Sequence, residues 1–322
     1  MRCTTLLSVM ALLAVGSLAF PKQPANPIMA IVTTPLSDCY GISPPPAGLD
    51  IYGGCIESYY VRWLEASGIR VVPLIWNASW TERKAVLDSV NGALFPGGGL
   101  GGEAFTEYLG NATQIFNYAT ERNALGDAFF LWGTCQGFQV LSVIALQDAS
   151  LLKCIYHGTD PSMLPLDFTS YQPASVMFGQ RAESPINIVG ILQNQNSTLN
   201  WHSCGINPSD LNADFNSIFK VISTNVDING LPFISSYEST TNNFFATQFH
   251  PERILYEFSD DIIGHTPDDI LVSHYLSMFI AARLKLNNHS YPTATDANNA
   301  AVENFPVYNL GWGSELYWIS GN

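Results

Sequence analysis

Positive charge is scarce in this chain: 13 Lys and Arg stand against 27 Asp and Glu in 322 residues, a formal net charge of −14 at pH 7. A nucleic-acid binder needs clustered Lys and Arg to displace counterions from phosphates, so that class is excluded. Charged residues of both signs make up only 12% of the chain and hydrophobic ones 47%, which excludes disorder through want of core-forming side chains. Long apolar runs are missing too, apart from Leu6–Leu18. That run is short of the ~20 residues of a membrane span. It follows Arg2 and ends at Ser17-Leu18-Ala19, a small-x-small pattern. Residues 1–19 are therefore read as a secretory signal peptide cut after Ala19, and 20–322 as a single soluble domain without stable membrane insertion. Internal repeats and a domain linker are also lacking.

What is present fits the secretory route. Signal cleavage removes Cys3 and leaves Cys39, Cys55, Cys135, Cys154 and Cys204, an odd number, so at least one thiol lacks a partner within the chain. Pairing of Cys39 with Cys55 and of Cys154 with Cys204 is one of the three connectivities open to the four cysteines other than Cys135. Sequons at Asn77, Asn111, Asn196 and Asn288 are candidate glycosylation sites expected on the surface.

Short β-branched or aromatic runs alternate with helical patterns, the rhythm of an α/β fold with a parallel sheet. Strands are expected at 28–33, 69–75, 92–95 and 128–132, with helices at 56–67, near 102–120 and at 136–146. The second half is richer in strands, expected at 187–192, 218–224, 232–237 and 243–249. A helix over 267–286 follows, with Ile270, Leu271, Tyr275, Met278 and Phe279 spaced to face the core. The stretch 287–301 reads as a loop before a last aromatic segment. Two strands end in glycine-rich turns, Pro96-Gly97-Gly98-Gly99 and Gly133-Thr134-Cys135-Gln136-Gly137, on the carboxyl edge where open α/β sheets place ligands.

Cys135 lies between a buried strand and a helix, the geometry of a nucleophile elbow. The helix N-terminus favours a thiolate there. Taken alone, Cys135 is more readily a buried structural cysteine. His250-Pro251-Glu252, after the strand at 243–249, changes that balance, because residues two apart on an extended chain project to one side and a carboxylate so placed can fix the imidazole tautomer. Cys135, His250 and Glu252 form a candidate nucleophilic triad. No zinc-type cysteine pairs occur, and Gly97-Gly98-Gly99 lacks the dinucleotide spacing, so neither a metal nor another cofactor is called for.

Phe95-Pro96-Gly97-Gly98-Gly99, Trp132-Gly133-Thr134-Cys135-Gln136-Gly137-Phe138 and Thr247-Gln248-Phe249-His250-Pro251-Glu252, in this order, resemble the class I glutamine amidotransferase superfamily. Leu164–Thr169, Thr224–Asp227, Tyr256-Glu257-Phe258 and Ile262–Pro267 narrow the resemblance to γ-glutamyl hydrolase, over about residues 27–286. The resemblance implies a three-layer α/β sandwich with a mostly parallel, flavodoxin-like sheet and β-rich additions. It implies a cysteine-type omega peptidase that hydrolyses γ-glutamyl amides of folate polyglutamates and related γ-glutamyl peptides, with no nucleic-acid partner, a homodimeric state, and a secreted, lysosomal or vacuolar location. Cys135 is then the nucleophile, His250 general base and acid, and Glu252 its orienting group. His202 lies near the substrate, and the backbone N–H groups of Gln136 and of Gly98 or Gly99 form the oxyanion hole. The sequence departs from the family pattern at Gln136, where relatives often carry leucine, and at Cys55, where they usually carry tyrosine, so that Tyr52 or Tyr59 would have to take over any substrate contact of that tyrosine.

Two rival functions remain at this point: a glutaminase delivering ammonia, which needs a partner subunit, and a non-catalytic folate or γ-glutamyl binding protein. A polyanionic substrate and an acidic protein repel each other at neutral pH. Activity is accordingly expected to be favoured in mild acid, where carboxylates are protonated and histidines such as His202 gain charge.

Overall fold

The computed structural model describes residues 26–39, 53–179, 187–311 and 314–320. The expected signal peptide and Tyr52 lie outside these. Eight strands form the central sheet: β1 (Ile28–Val32), β2 (Arg70–Leu74), β3 (Gly92–Phe95), β4 (Phe130–Thr134), β5 (Asp167–Phe168), β6 (Phe219–Val226), β7 (Pro232–Ser239) and β8 (Phe244–Thr247). Their order is β2-β1-β3-β4-β8-β7-β6-β5. The first five pair in parallel and the last three are added antiparallel.

Strand residues alternate between two apolar layers, as the two-residue period of a strand requires. Ala30, Leu131, Phe244 and Ala246 pack on one face with residues of helices Gly102–Ala124 and Gln136–Leu146. Ile31, Phe130, Trp132 and Phe245 pack on the other with residues of helices Ser58–Glu65 and Pro267–Leu284. Burial on both faces is why these strands read as near-continuous hydrophobic runs. Helices thus cover both sides of one sheet, the three-layer α/β architecture, and smaller antiparallel sheets are attached to it.

Three local expectations are corrected. Residues 187–192, expected as a strand, belong to helix Ile188–Asn194, which Asn187 caps by accepting the Gly190 N–H at 2.9 Å; a side-chain cap outweighs the β-propensity of a short Ile and Val run. On helix Pro267–Leu284 the buried stripe runs through Val272, Leu276, Phe279 and Ile280, while Ile270 and Met278 are exposed. The stretch read as a loop contains helix Ala294–Ala300, whose capping box joins Thr293 and Asp296. The last aromatic segment forms strands Val307–Gly311 and Ser314–Trp318, and the second pairs antiparallel with Cys55–Glu57. Disulfides link Cys39 with Cys55 and Cys154 with Cys204, and Cys135 is a free thiol.

Candidate active site

Neighbouring parallel strands β3, β4 and β8 deliver the glycine loop, Cys135 and His250 to one edge, with Phe95 beside Gly133 and Thr134 beside Thr247 in register. Cys135 leaves β4 at φ 50° and ψ −106° and caps helix Gln136–Leu146. A non-glycine residue pays of order 1–3 kcal/mol to hold such a conformation, so the surrounding structure must enforce it. Its N–H donates to the Thr247 carbonyl at 2.9 Å, and the Gln139 N–H donates to its carbonyl at 3.0 Å. A Cβ on Gly137 would lie 2.0 Å from the Phe95 carbonyl oxygen, so only glycine lets the helix start this close to β3.

His250 Nδ1 lies 2.6 Å from Glu252 Oε1, and both side chains are buried. The carboxylate can only accept, so the proton is on Nδ1 and the other ring nitrogen is left for exchange with a substrate or thiol. Burial opposes the charged imidazolium, but the Glu252 carboxylate and the interacting Cys135 outweigh it and hold the His250 pKa up at about 10. The Cys135 Sγ also lies 3.7 Å from the Trp201 carbonyl oxygen. Gly97 fits between these groups: a Cβ there would lie 2.8 Å from His250 Cε1, 3.0 Å from the Tyr60 hydroxyl oxygen and 3.3 Å from Cys135 Cβ.

Cys135, His250, Gly97–Leu100, Gln136 and His202 all line one cavity of about 480 Å³, together with Glu57, Trp201 and Arg253. Among the described residues no group of three or more His, Cys, Asp or Glu could hold a metal ion. The Gly99 N–H donates to Asp38 Oδ2 at 2.7 Å. Among the described residues the N–H groups of Gly98 and Gln136 have no partner. His202 donates from Nδ1 to the Cys204 carbonyl at 2.9 Å and stacks edge-on against Phe233. Burial pushes its pKa down to about 3, so His202 stays neutral in mild acid, contrary to the expectation that it would gain charge there.

The sequence matches no family model. Gamma-glutamyl hydrolase B of Dictyostelium discoideum is 31% identical to the chain, covering 88% of it and 80% of that protein. The mouse gamma-glutamyl hydrolase is 31% identical over 88% of the chain and 86% of its own length, and the human one 30% identical over 79% and 78%. The chain belongs to the γ-glutamyl hydrolase family. It is an enzyme of that family, and its relatives extend to Arabidopsis thaliana. Solved structures superpose loosely, with TM-scores of 0.43 at 15% and 10% identity, the first described as a GMP synthase subunit from Thermoplasma acidophilum.

Several residues around the family's site were not singled out from the sequence. Arg253 sits between the Tyr59 and Trp201 rings, 5.1 and 5.3 Å from their centroids, and is half-buried at the cavity wall. Its Nη2 donates to both Glu57 oxygens at 2.8 and 2.7 Å, and its Nη1 to Glu257 at 3.1 Å. These carboxylates, with Glu252, outweigh burial and raise its pKa further. The available signal was position, since Arg253 follows Glu252 directly. Glu57 carried none, because it approaches through the pairing of its strand with Ser314–Trp318. Tyr59, offered as a substitute for the family tyrosine, is buried against Arg253.

Of the sequons, Asn77, Asn196 and Asn288 are exposed, while Asn111 is half-buried within helix Gly102–Ala124. Among the described residues no helix is long and apolar enough to cross a membrane.

Proposed function

We propose that the enzyme hydrolyses γ-glutamyl amide bonds of folate polyglutamates and related γ-glutamyl peptides through an acyl-enzyme on Cys135. The observation that carries this reading is the buried His250–Glu252 pair, 2.6 Å apart, held against a free cysteine that caps a helix in an open cavity. His250 takes the Cys135 proton, and its raised pKa keeps that proton on the ring. The thiolate adds to the γ-carbonyl carbon, and the carbonyl oxygen becomes an oxyanion facing the N–H groups of Gly98 and Gln136. Collapse of the intermediate breaks the C–N bond while His250 gives its proton to the leaving amine. Neutral His250 then draws a proton from water as it attacks the thioester, and returns it to the sulfur as the acid departs. Glu252 keeps the ring in the required tautomer throughout. His202, on the wall of the same cavity, contacts substrate through its ring edge, its two nitrogens lying 2.9 Å from the Cys204 carbonyl oxygen and 3.2 Å from Asn200 Oδ1.

The mature enzyme of this proposal is a single catalytic domain, residues 20–322, acting as a homodimer in the secretory route and exported or delivered to a lysosome or vacuole. Two disulfides are what an oxidising compartment supports, and three exposed sequons suit glycosylation there. The test is mass analysis of products from a folate bearing several γ-linked glutamates, before and after alkylation of Cys135. Released glutamate or glutamyl peptide that disappears on alkylation supports the reading; release that survives in Cys135→Ala removes Cys135 as nucleophile. Ammonia from free glutamine as the sole product would favour a glutaminase instead.

A further inference from the structure

Side chains hold the N–H groups of Gly97, Gly99 and Leu100 in the glycine loop. The Tyr60 hydroxyl accepts from Gly97 at 2.7 Å, and Asp38 Oδ2 accepts from Gly99 at 2.7 Å. Gln136 clasps Leu100 from both sides, its Oε1 accepting from the N–H at 3.1 Å and its Nε2 donating to the carbonyl at 2.9 Å. Among the described residues only the Gly98 N–H is left over. The three holding groups come from separate parts of the chain. Tyr60 is on helix Ser58–Glu65, Gln136 follows the free thiol, and Asp38 precedes Cys39, which is tied to Cys55. Asp38 and Gln136 close on Gly98 from the side where a side chain would stand: a Cβ there would run into Asp38 Oδ2 and lie 2.7 Å from Gln136 Oε1, so only glycine fits beneath them.

Three glycines in succession give this loop many backbone conformations of similar energy. An oxyanion donor lowers a barrier only if it already points where negative charge will develop, because reorienting it during the reaction consumes the stabilisation it supplies. We propose that Asp38 and Gln136 are positioning residues for the reaction. By fixing the Gly99 and Leu100 peptides they aim the Gly98 N–H at the attacked carbonyl, beside the N–H of Gln136 itself. Beyond its backbone N–H, Gln136 contributes a side chain that couples the helix carrying Cys135 to the loop. Gln136 and Asp38 thus share the task of holding the loop, one from each side. The inference rests on acylation of Cys135 as proposed above.

The test compares Asp38→Ala, Asp38→Asn and Gln136→Ala in the full chain. Three measurements are needed: kcat and KM on a γ-glutamyl peptide, affinity for an N-acylated γ-aldehyde analogue that forms a hemithioacetal at Cys135, and the rate of Cys135 alkylation by iodoacetamide. A lost oxyanion donor costs about 10² to 10³ in kcat; a donor left in place but released from its aim is expected to cost about tenfold or more. Asp38→Ala and Gln136→Ala should lower kcat and aldehyde affinity together, with KM and alkylation rate near wild type. Asp38→Asn, which retains an oxygen acceptor for the Gly99 N–H, should restore both. Wild-type kcat and aldehyde affinity in Asp38→Ala or in Gln136→Ala would overturn the proposal, as would an Asp38→Asn enzyme as impaired as Asp38→Ala. Should Asp38→Ala fail to fold, the Asn and Gln136 variants decide it. Turnover surviving in Cys135→Ala would instead sink the underlying acyl-enzyme reading.

Discussion

Replacing Glu252 by glutamine keeps the side-chain volume and removes one charge from a buried pair. In the native protein His250 Nδ1 donates to Glu252 Oε1 at 2.6 Å, and the other carboxylate oxygen is buried without a hydrogen-bond partner among the described residues. The amide of glutamine can offer an N–H to Nδ1, which forces the proton to the opposite ring nitrogen and turns the nitrogen needed as base into a donor. The charge effect acts in the same direction. Burial lowers the His250 pKa while Glu252 and Cys135 raise it, to about 10 from an ordinary 6.5; without the carboxylate, desolvation gains ground and the pKa falls. Loss of correctly oriented acid and base catalysis is expected to lower kcat by about 10² to 10⁴ with a smaller change in KM. Stability reports the same group independently. A histidine with a raised folded pKa contributes stability that is complete below its unfolded pKa of 6.5 and is lost as pH rises towards 10. Unfolding midpoints of the native enzyme should therefore decline over that window, and Glu252→Gln should flatten the decline. Turnover on a γ-glutamyl peptide and denaturant midpoints across pH measure both. Wild-type kcat, or an unchanged stability slope in the variant, would refute the assignment of Glu252 as the group that orients and charges His250.

Gly97→Ala places a methyl 2.8 Å from His250 Cε1 and 3.3 Å from Cys135 Cβ, so the pair must separate; kcat should drop by about 10², with a stability loss of about 1–3 kcal/mol from overpacking, read by steady-state kinetics and urea unfolding. Arg253→Met leaves Glu57, Glu252 and Glu257 without the cation they share and should cost about 3 kcal/mol, seen as a fall in Tm; an undiminished Tm would mean these carboxylates are solvated. Removing the Cys154–Cys204 disulfide, which spans 50 residues, by Cys154→Ala with Cys204→Ala should cost about 2–5 kcal/mol in a urea titration. The same change should disturb the Gln139 hydrogen bond to the Cys204 carbonyl, at 2.9 Å, on the cavity wall.

The local code of this chain was strong where one physical signal dominated. Helix Gln136–Leu146 and strand Gly92–Phe95 were legible because an apolar run met a glycine turn that neither a helix nor a strand can cross. His250 and Glu252 were legible because a two-residue step after a strand puts both on one side, and the structure places them 2.6 Å apart. The fold class followed from alternation of runs, since helices are needed to cross between parallel strands. Helix Ile188–Asn194 was missed because seven residues rich in Ile and Val carry no decisive period, and its cap decided the matter. Ile270 and Met278 were misplaced because the helix buries Ser273 and Ser277 in its stripe, where hydrogen bonds to the Pro251 and His274 carbonyls satisfy the hydroxyls.

What the sequence determined by itself was a sheet edge bearing a thiol, an imidazole and a carboxylate, because strand period, turn chemistry and the helix N-terminus are properties of neighbours in the chain. Tertiary structure alone decided which charges surround that edge and which backbone donors stay free. Asp38 reaches the glycine loop across 61 positions, Gln136 across 36, and Arg253 meets Glu57 across 196. Contacts at such separations depend on how layers stack and which strands become neighbours, and no local pattern encodes them.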